Sequence, residues 1–249
     1  MKRFFTSLIF LLLASTAFAA PRAVEARPVE LHQSLNMSLA AADTQGKVVA
    51  LTLDACGGAF DEDLIQFLIR KNIQATIFAT KRWIDRNPRG VAMLTAHPDL
   101  FEIEDHGANH VPAVIGVGRR VYGIPGEPDV AHLVSEVSGG AEAVAQISGT
   151  APRWYRGATG EYDAAAIDVI KSLGYQIAGF SLNADAGATL SRRAIVARLK
   201  SSRHGDIIIA HMNKPNSDTA EGLAEGLSWM LAQGFQFVTL NAMNVHAPV

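Results

Sequence analysis

The sequence predicts an α/β domain built on parallel strands, and three observations carry that prediction. Seven short apolar runs recur along the chain. Stretches with the apolar spacing of a helix lie between most of them. The polar residues with the most chemistry stand at the C-terminal ends of the runs. Strand–helix alternation of this kind implies parallel strands covered by helices. About 230 residues beyond a short leader suit an α/β barrel, and a hydrophobic content of 49% supplies a full core. Local pattern alone leaves both an open doubly wound sheet and a barrel standing.

The elements follow in order. Lys2 and Arg3 open the chain, Phe4 to Leu13 is nearly all apolar, and Ala17-Phe18-Ala19 has the small-x-small form of a cleavage site. The apolar stretch is too short to span a bilayer. Residues 1–19 therefore read as a signal peptide, and the expectation is an exported, periplasmic or secreted protein with no membrane span after cleavage. An uncleaved anchor is the alternative. Residues 20–46 are weakly patterned and read as an N-terminal arm, with the folded domain over 47–249. Val48 to Leu53 is the first strand, and Leu64, Phe67 and Leu68 mark one face of a first helix. Ala75 to Thr80 is the second strand. Phe101 to Ile103 lies in the third and Arg153 to Arg156 in the fourth, with a helix over Asp129 to Ile147 between them. A helix over Ala164 to Leu173 stops at Gly174, a suitable C-terminal cap. Tyr175 to Leu182 is the fifth strand. A helix with Ser191 as N-cap follows to Ser202. Ile207 to Ala210 is the sixth strand, Thr219 to Gln233 a helix, and Phe235 to Leu240 the seventh strand. Val111 to Gly126 breaks the rhythm. It holds four glycines and two prolines and is too long for an ordinary connector, which marks it as a functional loop.

Composition excludes some partners. A net charge of −2 argues against nucleic acid and against an electrostatic membrane mode. The single cysteine, Cys56, rules out an internal disulfide, which is compatible with a bacterial periplasm.

Working residues of parallel α/β folds sit past the C-terminal strand ends. Asp54 ends the first strand, His106 and His110 follow the third, Arg156 ends the fourth, Asn183 and Asp185 follow the fifth, and His211 ends the sixth. Parallel strands would gather all of them on one rim. The His106/His110 spacing lets both imidazoles face one divalent cation, for which zinc is the first expectation. Asp54 beside them has the chemistry of a general base, Arg156 can pair with it, and His211 can protonate a leaving group. These are the parts of a metal-assisted hydrolase acting on an acyl group. Cys56 reads as a small buried apolar residue, with thiolate ligation of zinc as the alternative. His97, His132, His204 and His246 read as surface or loop residues, Trp83 and Trp229, on helical patterns, as core, and Asp61 and Asp63 as residues of a helix N-terminus, with replacement of a metal ligand as the alternative for the two aspartates.

From Val48 to Leu240 the chain resembles the polysaccharide deacetylases, carbohydrate esterase family 4, with the NodB homology domain. The family's Thr-Phe-Asp-Asp-Gly stands here as Thr52-Leu53-Asp54-Ala55-Cys56-Gly57-Gly58. Its His-Ser/Thr-x-x-His is His106-Gly107-Ala108-Asn109-His110. Its Arg-Pro-Pro-Tyr-Gly is Arg156-Gly157-Ala158-Thr159-Gly160, and its Leu-x-His is Ile209-Ala210-His211. The resemblance implies a distorted seven-stranded (β/α) barrel and a domain that removes acetyl groups from N-acetylated sugars of an envelope polysaccharide or peptidoglycan. It implies Asp54 as base, His106 and His110 on the metal, Arg156 orienting the base, and His211 as acid. It also implies that the backbone N–H of Thr159 helps to hold the oxyanion. Tyr155, beside Arg156, is expected on a sugar-stacking wall, although strand alternation buries either it or Trp154. Asp185 is expected on the substrate side, and Asn183-Ala184-Asp185 only loosely echoes the family's Asp-x-x-Asp-Trp, which supports the arginine.

The departures sharpen the reading. Ala55 stands where the family's second, metal-binding aspartate belongs, and alanine cannot ligate. Either Asp54 remains the base while two histidines hold the metal, or Asp54 itself moves onto the metal. A third possibility is a catalytically inactive glycan-binding barrel.

Overall fold

The computed structural model describes residues 37–39, 46–242 and 245–246. The expected signal peptide and most of the expected arm lie outside these residues. No described helix is long and apolar enough to cross a membrane.

Lys47–Ala55 lies in the middle of a curled parallel sheet. On one side it pairs with Ala75–Ala79, followed by Phe101–Asp105, Trp154–Tyr155 and Gln176–Ile177. On the other it pairs with Ile207–His211 and then Leu182–Asn183. Phe235–Val238 pairs with its N-terminal half. The two ends of the sheet, Gln176–Ile177 and Leu182–Asn183, are both pieces of the expected fifth strand, so a few residues of chain span the last gap and the sheet forms a distorted barrel. The split departs from the continuous strand expected there. At the break the carbonyls of Ala178 and Gly179 turn to Arg156, accepting from its Nε (3.3 Å) and Nη2 (3.1 Å).

Alternation along Lys47–Ala55 divides its side chains between two environments. Val49, Leu51, Leu53 and Ala55 face the helices in the main core. Val48 and Ala50 face the barrel interior with Phe78, Trp154, Ile207 and Leu240. Met37 and Leu39 plug that interior, and Ser38–Leu39 pairs antiparallel with Val245–His246. These three residues of the expected arm thus belong to the fold, because apolar side chains two apart on an extended chain enter the barrel together. Higher up the same inner face the residues become polar: Thr52, then Asp54, then Cys56 beyond the strand end. One strand therefore carries a packed barrel floor at its start and chemistry at its end.

The outer layer is α1 (Glu62–Lys71), α2 (Lys81–Arg86), α3 (Pro88–Thr95), α4 (Val130–Ser148), α5 (Ala164–Ser172), α6 (Arg192–Lys200) and α7 (Thr219–Ala232). Asp61 caps α1 by accepting from the Leu64 N–H, and Ser191 caps α6. No bounds for α2 or α3 follow from the sequence, although Trp83 lies on a helical pattern. Both helices are short, Pro88 at the start of α3 interrupts the periodicity between them, and Thr80 supplies a cap at a site that reads as a strand end. The loop of residues 111–126 holds short pairings, Arg120–Val121 with Ile124–Pro125 and Pro112–Ala113 with Ala158–Tyr162.

Candidate active site

Every rim residue singled out in the sequence stands at a C-terminal strand end. Asp54 is the penultimate residue of Lys47–Ala55, directly beside His211 in register. Arg156 is fully buried, and its Nη1 donates to Asp54 Oδ1 at 2.8 Å and to Thr52 Oγ1 at 2.9 Å. With the carbonyls of Ala178 and Gly179 on its other nitrogens and its guanidinium 4.1 Å from the centre of the Phe78 ring, this arginine has one possible pose. Burial alone would raise the Asp54 carboxyl. The charges of Arg156, His106 and His211 outweigh it and hold the group below the ordinary carboxylate value. Asp54 is an ionised carboxylate with one oxygen fixed.

His106 follows Phe101–Asp105 and is buried. Its Nδ1 lies 2.6 Å from the Arg156 carbonyl oxygen. A carbonyl only accepts, so Nδ1 carries the hydrogen and Nε2 is left for the site. Nε2 faces Cys56 Sγ at 3.5 Å and Asp54 Oδ2 at 3.7 Å. Burial lowers the His106 pKa, but Asp54 and Cys56 drive it up to about 9. The His110 ring is edge-on to His106, 4.9 Å between centroids. The donor atoms of Cys56, His106 and His110 all lie within 4.8 Å of one another. Asp54 is not a member of this set. The cysteine read as a small apolar residue instead faces the two histidines, because it lies two residues past Asp54 on the same face of the chain, while Ala55 points away into the core. Burial would push its thiol up. The hydrogen bond and charge of His106, with hydrogen bonds from His110 and His211, hold it well below the ordinary thiol value.

The loop between the histidines is pinned from α4. The buried Glu136 carboxylate accepts from the backbone N–H groups of Asn109 (2.9 Å) and Val111 (3.1 Å) and from Asn109 Nδ2 (3.2 Å). These bonds bracket His110, whose φ is +65°, a conformation that ordinary residues adopt only when held. Gly107 and Gly140 make the approach possible. A Cβ on Gly107, where φ is +83°, would meet Glu136 Oε1 at 2.5 Å, and one on Gly140 would meet Asp105 Oδ1 at 2.1 Å.

His211 Nδ1 pairs with Asp185 Oδ1 at 2.9 Å, and its backbone N–H donates to Asp185 Oδ2 at 2.9 Å. Burial favours a neutral ring. Asp185 and then Cys56 reverse that and raise His211 well above the ordinary imidazole value. Two residues leave the roles expected of them. Asp185 is fully buried and holds His211 rather than touching a substrate, because Leu182–Asn183 pairs with Ile207–His211 and places it there. Tyr155 is also fully buried, with Trp154 only 4% exposed, so neither forms an open stacking wall.

A cavity of about 580 Å³ opens on this rim, lined by Asp54, Cys56, His110, Thr159 and His211 among others. Thr159 has φ +70°, and its buried hydroxyl oxygen has no partner. Tyr122 and Glu161 form the outer wall, joined by a 3.0 Å hydrogen bond from the tyrosine hydroxyl. Neither was singled out from sequence. Their signal was only the long loop of 111–126 and its position after the histidines.

The polysaccharide deacetylase family model matches residues 41–178. The chain belongs to this family. Among solved structures it is similar to a CE4 family pseudoenzyme from Bacillus anthracis, BA3943, at 15% identity over 81% of this chain and 66% of that chain, with a TM-score of 0.63. It is similar to the Bc1960 peptidoglycan N-acetylglucosamine deacetylase at 19% identity over 83% and 90%, with a TM-score of 0.67. It is also similar to the peptidoglycan deacetylase PdaC from Bacillus subtilis at 18% identity over 80% and 91%, with a TM-score of 0.64. At these identities the likeness concerns the fold, the NodB-type distorted barrel. No curated protein matches the sequence.

Proposed function

We propose that this polysaccharide deacetylase family member is an exported, metal-dependent hydrolase that removes acetyl groups from N-acetylated sugars of an envelope polysaccharide or peptidoglycan. One observation carries the reading. A carboxylate held ionised and an imidazole held protonated open on one cavity beside a set of metal donors. Complementary protonation states on neighbouring groups assign acid and base roles. The basic start, apolar run and small-residue site of residues 2–19 support export.

His106 and His110 present nitrogens suited to a divalent metal, zinc first. Such a cation supplies polarisation of the acetyl carbonyl and a water of lowered pKa. Asp54 accepts the proton of the attacking water with its free oxygen, while Arg156 fixes the other. The backbone N–H of Thr159, in its left-handed turn, is the donor assigned to the oxyanion. As the C–N bond breaks, His211, braced by Asp185, protonates the departing sugar amine. The test is acetate release from N-acetylglucosamine oligomers by the mature chain. Release that chelator abolishes and zinc restores supports the reading; release unaffected by chelator contradicts it.

Ala55 favours a second reading, a catalytically inactive glycan-binding barrel, since the family's second aspartate is missing. Such a protein would bind the oligomers equally with and without metal and release no acetate.

A further inference from the structure

We propose that the Cys56 thiolate is the third protein ligand of the metal, making this a Cys/His₂ centre and leaving Asp54 free as the base. The inference rests on reading the site as a metal centre, and it concerns which atoms hold the metal.

Three observations converge. The inner face of the first strand carries Thr52, Asp54 and Cys56 in turn, while Ala55 lies in the helix-facing core. The ligand missing at 55 therefore has its replacement one residue later, where the chain again faces the site. Second, Asp54 is already engaged. Arg156 holds Oδ1 at 2.8 Å, and the carboxylate lies outside the set of donors within 4.8 Å that Cys56, His106 and His110 form. Third, the spacing suits a cation. Bonds of about 2.0–2.1 Å to histidine nitrogen and 2.3 Å to cysteine sulfur, at a tetrahedral angle, place N and S about 3.5 Å apart. Cys56 Sγ and His106 Nε2 are 3.5 Å apart. His106 Nδ1 is committed to the Arg156 carbonyl, so Nε2 is the nitrogen that faces the sulfur, and a cation there would take the place of the proton that the two groups share.

Thiolate ligation sets the class of metal. Sulfur with two imidazoles selects zinc and its borderline-soft neighbours over magnesium, calcium or manganese, which prefer oxygen. Three protein ligands leave the fourth position open, the arrangement of catalytic rather than structural zinc. Binding releases the thiol proton to solvent.

The experiment is cobalt(II) titration of the metal-stripped mature protein, followed by near-ultraviolet absorption. Cys56 is the only cysteine, so any thiolate-to-cobalt charge-transfer band belongs to it. The expected result is one cobalt per chain with that band. Cys56→Ser should lose the band and weaken zinc binding by at least about 100-fold, since even outer partners of metal ligands cost about 10–100-fold. Cys56→Asp should recover most of the uptake without the band. One cobalt per chain with no band in the wild type would overturn the proposal while leaving a metal centre on the histidines. Unchanged zinc affinity in Cys56→Ser would do the same. Failure of the wild type to bind zinc or cobalt would overturn both this proposal and metal dependence.

Discussion

The inner wall of the cavity and its outer rim are built on opposite terms. At the wall, Arg156 is fully buried, four of its contacts are hydrogen bonds of defined length, and Asp54, His106 and Asp185 have almost no exposure. At the rim, Tyr122 is 79% exposed with φ +49°. The wall is over-determined and the rim barely determined. On the proposed reading, the geometry needed for proton transfer is placed on strand ends, and the geometry that would admit a polymer is placed on a loop.

The largest effect should come from the wall. Asp54→Asn keeps the size and one acceptor for Arg156 but removes the proposed base, and acetate release should fall by about 10²–10⁴-fold, the usual share of general base catalysis. Retention of activity within a few-fold would place the base elsewhere. Arg156→Ala strips the counter-charge from a buried carboxylate, and a loss of about 3–5 kcal/mol is expected in denaturant unfolding; a loss under about 1 kcal/mol would show that the pair is not held as described.

The next effects test how the wall is supported. Glu136→Ala releases the loop that carries His110, and metal affinity should fall by about 10–100-fold while far-ultraviolet circular dichroism stays unchanged. Unaltered affinity would mean that the loop holds His110 unaided. Burial pushes Glu104, which accepts from the backbone N–H groups of Arg153 and Trp154, up to about 7 from 4.5. The native state binds this proton more tightly than the unfolded chain. Its contribution to stability is full below pH 4.5, declines as pH rises to about 7, and is level above that. Glu104→Gln should flatten that stretch of the melting-temperature profile. A profile that keeps its slope would assign it to another group.

Much of the wall was legible in the sequence because strand ends, spacing and residue type act together there. Asp54, His106, His110, Arg156 and His211 each carry a short motif at a point where strand alternation fixes the facing side. Cys56 left two readings open in the sequence, a small apolar residue or a thiolate ligand, because composition alone does not say that its sulfur meets the two histidines; that placement is tertiary. Asp185 was legible as a polar residue after the fifth strand, but its partner depends on which strands are neighbours, and the pairing of Leu182–Asn183 with Ile207–His211 is a tertiary fact. The bounds of α2 and α3 escaped because six and eight residues are too few for periodicity to fix them. The rim left almost no trace, since a glycine-rich loop has no period to read.

The smallest effect should lie at the rim. Tyr122→Ala removes an exposed ring joined to Glu161 by one hydrogen bond. Stability should not change, and KM for the oligomers should rise about 5-fold at constant kcat, the worth of about 1 kcal/mol of stacking. A fall in kcat instead would move Tyr122 from rim to wall.

The central claim is that the wall is a working centre in which metal and base are separate. The most direct measurement is metal content and acetate release on one preparation of zinc-loaded Asp54→Asn beside wild type. The account predicts one zinc per chain in both proteins, with acetate released only by the wild type. Loss of zinc together with activity in Asp54→Asn, or zinc-loaded wild type that binds oligomers and releases no acetate, would contradict it.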